Sequence, residues 1–136
     1  MVDLGGGAAV NSVHELAIRS LEARHAIVRR GFAKEVRDLL GEDAEGIQFG
    51  VVPDAWLLRP HPEWPGVCQV VAFEVEDTSR VGAAKLGCYL SLWWVMDSTE
   101  YLDLQLVTAD RWGNESWIDM VVYAYAERSA LRRARP

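Results

Sequence analysis

The sequence predicts an α/β domain, in which helices pack against a β-sheet, on three observations. Apolar residues recur at helical spacing over residues 13–28. Residues 67–73 form a short, continuous and β-branched apolar run after Pro65-Gly66, which is typical of a buried strand. A second helical stripe over residues 81–95 precedes an alternating segment over residues 101–107. Helical and strand patterns that alternate along one chain indicate the α/β class.

The first helix has a start signal and a stop signal. Asn11 or Ser12 can cap it, and Glu15 lies three residues beyond Ser12, which gives a capping-box pattern. The helical spacing continues as far as Gly31. Residues 32–40 have apolar residues at helical spacing, but a strand after Gly31 stays open as an alternative.

The middle of the chain is expected to carry two strand segments and a loop. Residues 41–46 read as an acidic turn, and residues 47–52 and 54–58 as strand, with Pro53 introducing a bend or an edge between them. Residues 59–66 contain three prolines, which predicts an irregular loop before the buried strand.

The second half is expected to continue with a helix, a strand and a closing helix. The helix covers about residues 80–96, and residues 101–107 alternate as a strand does. After a turn at Gly113-Asn114, residues 117–132 read as a helix, although residues 121–125 also suit a strand.

Length and composition predict a single domain. A chain of 136 residues with 50% apolar content can bury one core, which we assign to residues 12–136, and the glycine-rich residues 1–11 read as a flexible leader. No apolar run approaches the ~20 residues of a membrane span, so no membrane partner is expected. Because no export signal is visible, Cys68 and Cys88 are expected to be reduced thiols in a cytoplasmic protein.

Acidic residues gather where the buried strand ends. Glu74 and Glu76 follow the apolar run and project to the same face, because side chains alternate along a strand. Carboxylates in a partly dry site repel one another unless a cation neutralises them. Oxygen ligands of this kind suit Mg²⁺, Mn²⁺ or Ca²⁺. The pattern therefore predicts a divalent-metal site.

Pro53-Asp54 and Glu74-Val75-Glu76 together resemble the motif of the PD-(D/E)XK nuclease superfamily, which has the restriction-endonuclease-like fold. Glu76 stands where that family usually has lysine, and some restriction endonucleases of this fold carry Glu-x-Glu there. The order helix, two or three strands, helix and strand also agrees with the family's αβββαβ core and mixed central sheet. Within that core, a strand after Gly31 would fit better than a helix.

The resemblance implies roles for particular residues. Asp54 and Glu74 would ligate Mg²⁺ or Mn²⁺ together with the backbone carbonyl of Val75, and Glu76 would extend the metal site or accept a proton from water. Lys85 falls within the apolar stripe of the second helix, where an ammonium group must reach water or meet an anion. In some members of the family the motif lysine has moved to this helix, so Lys85 is a candidate catalytic residue.

A further acid on or after the first helix is expected from the same resemblance. Glu35 is the better candidate because the helical projection keeps it near the apolar face, whereas Glu15 projects away from it. A surface acid paired with arginine is the alternative for Glu35. His14, His25 and His61 do not recur at metal-ligand spacing, so a zinc site is not expected.

Tryptophan and arginine are candidate nucleic-acid contacts. Of the six tryptophans, Trp64 is expected to lie in a loop beside the site. Core or interface positions are expected for Trp56, for Trp117 and for at least one of Trp93 and Trp94. The net charge of −6 opposes phosphate binding, although a metal would offset the acidic site. The basic C-terminal tail either complements a helix dipole or contacts nucleic acid. Its arginines are Arg128, Arg132, Arg133 and Arg135.

The expected function is Mg²⁺-dependent hydrolysis of DNA phosphodiesters by a nuclease of PD-(D/E)XK type. A homodimer is expected because so small a domain offers little surface to hold a duplex. Two alternatives stay open. One is a non-catalytic descendant of the fold with an assembly, adaptor or inhibitory role, and the other is a metallohydrolase of small phosphate esters.

Overall fold

The computed structural model describes residues 6–47, 49–76 and 81–122. The helices are α1 (Gly6–Glu22), α2 (Phe32–Leu40) and α3 (Ala83–Thr99), and a short 3₁₀ turn (Gly41–Ala44) follows α2. The strands are β1 (Ala55–Pro60), β2 (Cys68–Val75), β3 (Leu102–Ala109) and β4 (Glu115–Ile118).

Within these residues the four strands form one mixed sheet in the order β1-β2-β3-β4. β1 and β2 are antiparallel, β2 and β3 are parallel, and β3 and β4 are antiparallel. Since parallel neighbours need a crossover connection, α3 links β2 to β3 across one face of the sheet. An isolated antiparallel bridge joins Val28 to Trp56 of β1. The predicted α/β class is confirmed.

Each face of β2 contributes to a separate part of the core. Val70 and Ala72 belong to the larger cluster, which includes apolar residues of α2 and α3. Val71 and Phe73 belong to a second cluster, which includes Leu21 of α1. A central strand that is buried on both faces explains the continuous apolar run in the sequence.

The segment before β1 differs from the prediction in two places. Residues 32–40 form helix α2, because Phe32, Val36 and Leu40 recur every four residues and bury one stripe. The strand alternative is therefore wrong, and so is the strand predicted at 47–52, since the described residues of that segment lie outside the strands.

β1 extends further than predicted, through Arg59 to Pro60. A proline is tolerated at the last position of a strand because its missing N–H costs little there. The loop therefore begins at His61, whose backbone N–H donates to the carbonyl of Val67 and closes the connection to β2.

The C-terminal half also departs from expectation at β4. Residues 117 and 118 were predicted to be helical but pair with β3 in an antiparallel strand. The side chain of Asp110 fixes the preceding turn, because its Oδ1 accepts hydrogen bonds from the backbone N–H groups of Trp112 and Asn114. Gly113 has a φ of 79°, a conformation that glycine adopts without strain. Residues 120–122 are helical, and the remainder of the predicted helix and the basic tail lie outside the described residues.

Helix boundaries shift by several residues. α1 begins at Gly6, so residues 6–11 of the predicted leader are helical, and it ends at Glu22. α3 begins and ends three residues later than predicted, at Ala83 and Thr99.

Candidate metal centre

Two acidic residues meet where β2 ends and β1 begins. Because the strands are antiparallel, Asp54, which precedes β1, lies beside Phe73 and Val75 of β2. The backbone N–H of Asp54 donates to the Phe73 carbonyl at 3.0 Å, and the Val75 N–H donates to Asp54 Oδ2 at 2.8 Å. Asp54 is thereby held next to the strand that carries Glu74, as the sequence motif indicated.

Lys85 lies in the first turn of α3 and points at the acidic cluster. Its Nζ is 3.4 Å from Glu74 Oε2 and 3.2 Å from Glu76 Oε1. Burial acts to lower the pKa of Lys85, but the charge of Glu74 and the contacts with Glu76 outweigh it, so the net shift is upward. Lys85 is therefore a charged ammonium that bridges the two acids. It takes the orientation that its place in the helical stripe predicted, and its role in catalysis stays a prediction.

Glu74 is almost fully buried, with 2% of its surface exposed. Burial raises its pKa to about 7, and the charge of Asp54 adds to this effect. The hydrogen bond from Tyr89 and the charge of Lys85 act in the opposite direction. Glu74 can consequently hold or release a proton close to neutral pH.

Tyr89 lies one helical turn after Lys85 and is fully buried. Its hydroxyl donates a hydrogen bond to Glu74 Oε1. Burial, followed by the negative charge of Glu74, raises the pKa of Tyr89 far above its usual range, so the hydroxyl stays a donor. Because helical residues four apart share a face, its spacing from Lys85 was a usable sequence signal.

His14 is a second residue that sequence reasoning missed. Its Nε2 lies 3.4 Å from Asp54 Oδ1, so α1 also contributes to the cluster. His14 precedes Ala17 and Leu21 by three and seven residues, and both are buried. The side chain of His14 is exposed, so it reaches Asp54 from the surface of α1, and it lacks the repeated pattern that marks a histidine metal site.

The structure does not bring Glu35 to this cluster. Burial raises the pKa of the Cys68 thiol, and the nearby negative charge of Glu35 raises it further. Because a charge acts in this way only at short range, Glu35 lies near Cys68, at the start of β2. Cys68 and Glu74 are six residues apart on that strand, or about 20 Å. The prediction that Glu35 completes the site is wrong. The alternative acid, Glu15, instead pairs with Arg29 at 3.0 Å.

Trp64 also lies away from the predicted site. It belongs to the loop after β1, whereas Asp54 precedes that strand, so the two lie at opposite ends of the sheet. The expectation that Trp64 stands beside the acidic residues is wrong.

The oxygen donors fit the chemistry of a hard divalent cation. Asp54 and Glu74 offer carboxylate oxygens, and the Val75 carbonyl is the backbone ligand that the motif implies. Among residues 6–47, 49–76 and 81–122, no three histidine, cysteine, aspartate or glutamate side chains are arranged to hold a metal ion. A site here would therefore depend on two carboxylates and the backbone, and its cation would compete with Lys85 for Glu74.

Comparisons with protein-family models, with curated proteins and with solved structures find no match for this chain. The helices in the described part of the chain are too short or too polar to cross a membrane. The geometry alone offers two carboxylates on adjacent strands, a buried proton donor and a fixed ammonium group. Such a set can bind a cation and stabilise negative charge that develops beside it.

Proposed function

We propose that this protein is a Mg²⁺-dependent DNA phosphodiester hydrolase with a restriction-endonuclease-like core. The observation that carries the proposal is the position of the Lys85 ammonium, within 3.4 Å of both Glu74 and Glu76, on the helix that follows their strand. Asp54 at the start of the neighbouring strand supplies the acid that such a motif needs.

The order of elements supports the same proposal. α1 is followed by the bridge at Val28, helix α2, the antiparallel pair β1 and β2, the crossover helix α3 and the parallel strand β3. If the bridge is counted as a reduced first strand and α2 as an insertion before β1, the remaining order is the αβββαβ order of the resemblance.

In this proposal Asp54, Glu74 and the Val75 carbonyl hold the cation. When bound, Mg²⁺ polarises the scissile phosphate and lowers the pKa of a coordinated water. Tyr89 fixes the orientation of Glu74 through its hydrogen bond. Lys85 offsets negative charge on the phosphate oxygens in the transition state, and Glu76 accepts the proton of the attacking water.

The experiment that tests this proposal is a cleavage assay on plasmid, single-stranded and branched DNA with Mg²⁺ or Mn²⁺. We expect at least one DNA form to be cut, and Asp54→Asn to abolish cutting. Asp38→Asn is the matched control, because Asp38 is an exposed acid of α2 that pairs only with Lys34 among the described residues. Wild-type protein that cuts no DNA form with either metal would overturn the proposal.

A second candidate is a non-catalytic descendant with an assembly, adaptor or inhibitory role. The observation in its favour is that the Lys85 ammonium contacts both Glu74 and Glu76, so it offsets part of the negative charge of the cluster without a metal. The net charge of −6 also opposes DNA binding. Absence of cleavage by the wild type, together with a lower free energy of unfolding in Lys85→Met, would favour this second candidate.

A further inference from the structure

A separate cavity of about 410 Å³ lies at the opposite end of the sheet from the acidic cluster. Its floor contains Arg59, Gln69 and Asp103, which are register partners on three adjacent strands and so share one face. Arg59 Nε donates to Gln69 Oε1 at 2.7 Å, and Gln69 Nε2 donates to Asp103 Oδ2 at 2.9 Å. This chain of hydrogen bonds holds the carboxylate of Asp103 in a fixed position.

His61 ties the loop after β1 to this floor. Its Nδ1 accepts hydrogen bonds from the backbone N–H groups of Glu63 and Trp64, at 3.0 and 3.1 Å. The proton of the neutral imidazole is therefore on Nε2, which lies 3.3 Å from Asp103 Oδ2. The ring also stacks on Trp64 with centroids 4.2 Å apart, so the indole is held at the cavity rim.

Asp103 keeps one oxygen available to the cavity. The residue is only 8% exposed, yet both of its contacts use Oδ2. Within the described part of the chain, Oδ1 accepts no hydrogen bond, and Asp103 lines the cavity. A carboxylate oxygen that is accessible from the cavity and has no donor among the described residues is a position where a ligand N–H group gains a charge-assisted hydrogen bond.

The other lining residues indicate the charge of that ligand. Among the described residues, four carboxylates line the cavity, against the single guanidinium of Arg59, which lies 5.1 Å from the ring centroid of Trp117. The aromatic walls include Trp64, Trp93 and Trp117. Aromatic faces combined with carboxylates favour an organic cation.

We propose that this cavity binds a small free organic cation that carries N–H donors, either an alkylammonium or a guanidinium. The volume is within the range of small-molecule sites. The cationic group would donate to Asp103 Oδ1 and lie against the face of Trp64. This proposal does not depend on the nuclease proposal, because the cavity and the acidic cluster share no residue.

Titration of the full-length protein with cadaverine and with agmatine, followed by calorimetry and tryptophan fluorescence, tests the proposal. We expect saturable binding at constant ionic strength, weakened at least about tenfold by Asp103→Asn. Trp64→Ala, which changes a half-exposed loop residue, should also weaken binding, and Asp38→Asn on α2 should not.

Two controls separate the other outcomes. Tetramethylammonium lacks N–H donors, so it should bind much more weakly than cadaverine. Capped arginine and lysine amides represent a protein side chain. If the capped amides bind while cadaverine and agmatine do not, the cavity accepts a side chain of a protein, and the proposal of a small free ligand is wrong. Binding by no cation, or equal binding by wild type and both variants, would overturn it altogether.

Discussion

Tyr89 donates its hydroxyl hydrogen bond to Glu74 inside the core, one helical turn after Lys85 contacts the same carboxylate. One face of α3 therefore presents both a neutral donor and a cation to a buried acid. Glu74 Oε1 and Oε2 each have a different partner, which fixes the plane of the carboxylate. The candidate site is built by the start of this helix and the end of β2.

We expect Tyr89→Phe to lower Mn²⁺ affinity about tenfold, because the residue that orients Glu74 is lost. The free energy of unfolding should fall by about 1–2 kcal/mol, since Glu74 Oε1 is left without its donor. Calorimetric titration and urea unfolding measure the two effects. Tyr101→Phe is the control, because Tyr101 is an exposed residue whose hydroxyl, among the described residues, donates to the Leu39 carbonyl alone. Equal metal affinity in Tyr89→Phe and wild type would show that Tyr89 does not position Glu74.

Stability should depend on pH through Glu74. Its pKa is raised from 4.5 to about 7, so between these values the native protein keeps a proton that the unfolded chain has released. The free energy of unfolding therefore falls as the pH rises through this window, by on the order of 3 kcal/mol in total. Glu74→Gln should remove this fall, because glutamine stays neutral and can still accept from Tyr89.

Urea unfolding of both proteins at pH 4.5, 6 and 7.5 measures this effect. Glu42→Gln, at an exposed acid of the 3₁₀ turn, should follow the wild type. A Glu74→Gln variant that loses as much stability as wild type across this range would rule out Glu74 as the source.

Metal binding should stabilise the native protein. Mn²⁺ or Mg²⁺ is expected to raise the melting temperature, because a ligand that binds only the folded state shifts the equilibrium. The increase in melting temperature should be larger above pH 7, because Glu74 is then ionised and the metal ion displaces no proton from it. Asp54→Asn should abolish the increase and leave the metal-free protein at least as stable, since carboxylate repulsion is relieved. If Asp54→Asn keeps the full response to metal, Asp54 is not a ligand.

The position of Asp54 beside the strand that carries Glu74 could be predicted because both residues belong to short local patterns that resemble a known motif. Pro53-Asp54 marks a strand start, and Glu74 marks the end of an apolar run. Lys85 followed from the helical projection together with the resemblance, which allows the motif lysine on this helix. These features depend on residues near one another in the chain, which is why sequence reasoning reached them.

The errors arose where tertiary packing decides the outcome. Glu35 lies on a helix as its apolar spacing indicated, but which end of β2 that helix covers depends on the whole fold. Trp64 was misplaced because β1 carries the chain from one end of the sheet to the other. The strand at residues 115–118 pairs with β3 through a turn held by Asp110, and Trp117 in it fits either a helix or a strand.

The rate of DNA cleavage by Lys85→Met, relative to wild type, tests the central claim most directly. Lys34→Met is the matched control, because Lys34 is an exposed lysine that, among the described residues, forms an ion pair with Asp38 on the same helix. With Mg²⁺, we expect Lys85→Met to cut DNA at least about 100-fold more slowly than wild type, while Lys34→Met keeps the wild-type rate. Mn²⁺ should bind Lys85→Met no more weakly than wild type, because an ammonium that competes for Glu74 is gone. Equal cleavage rates for the two variants would contradict the account.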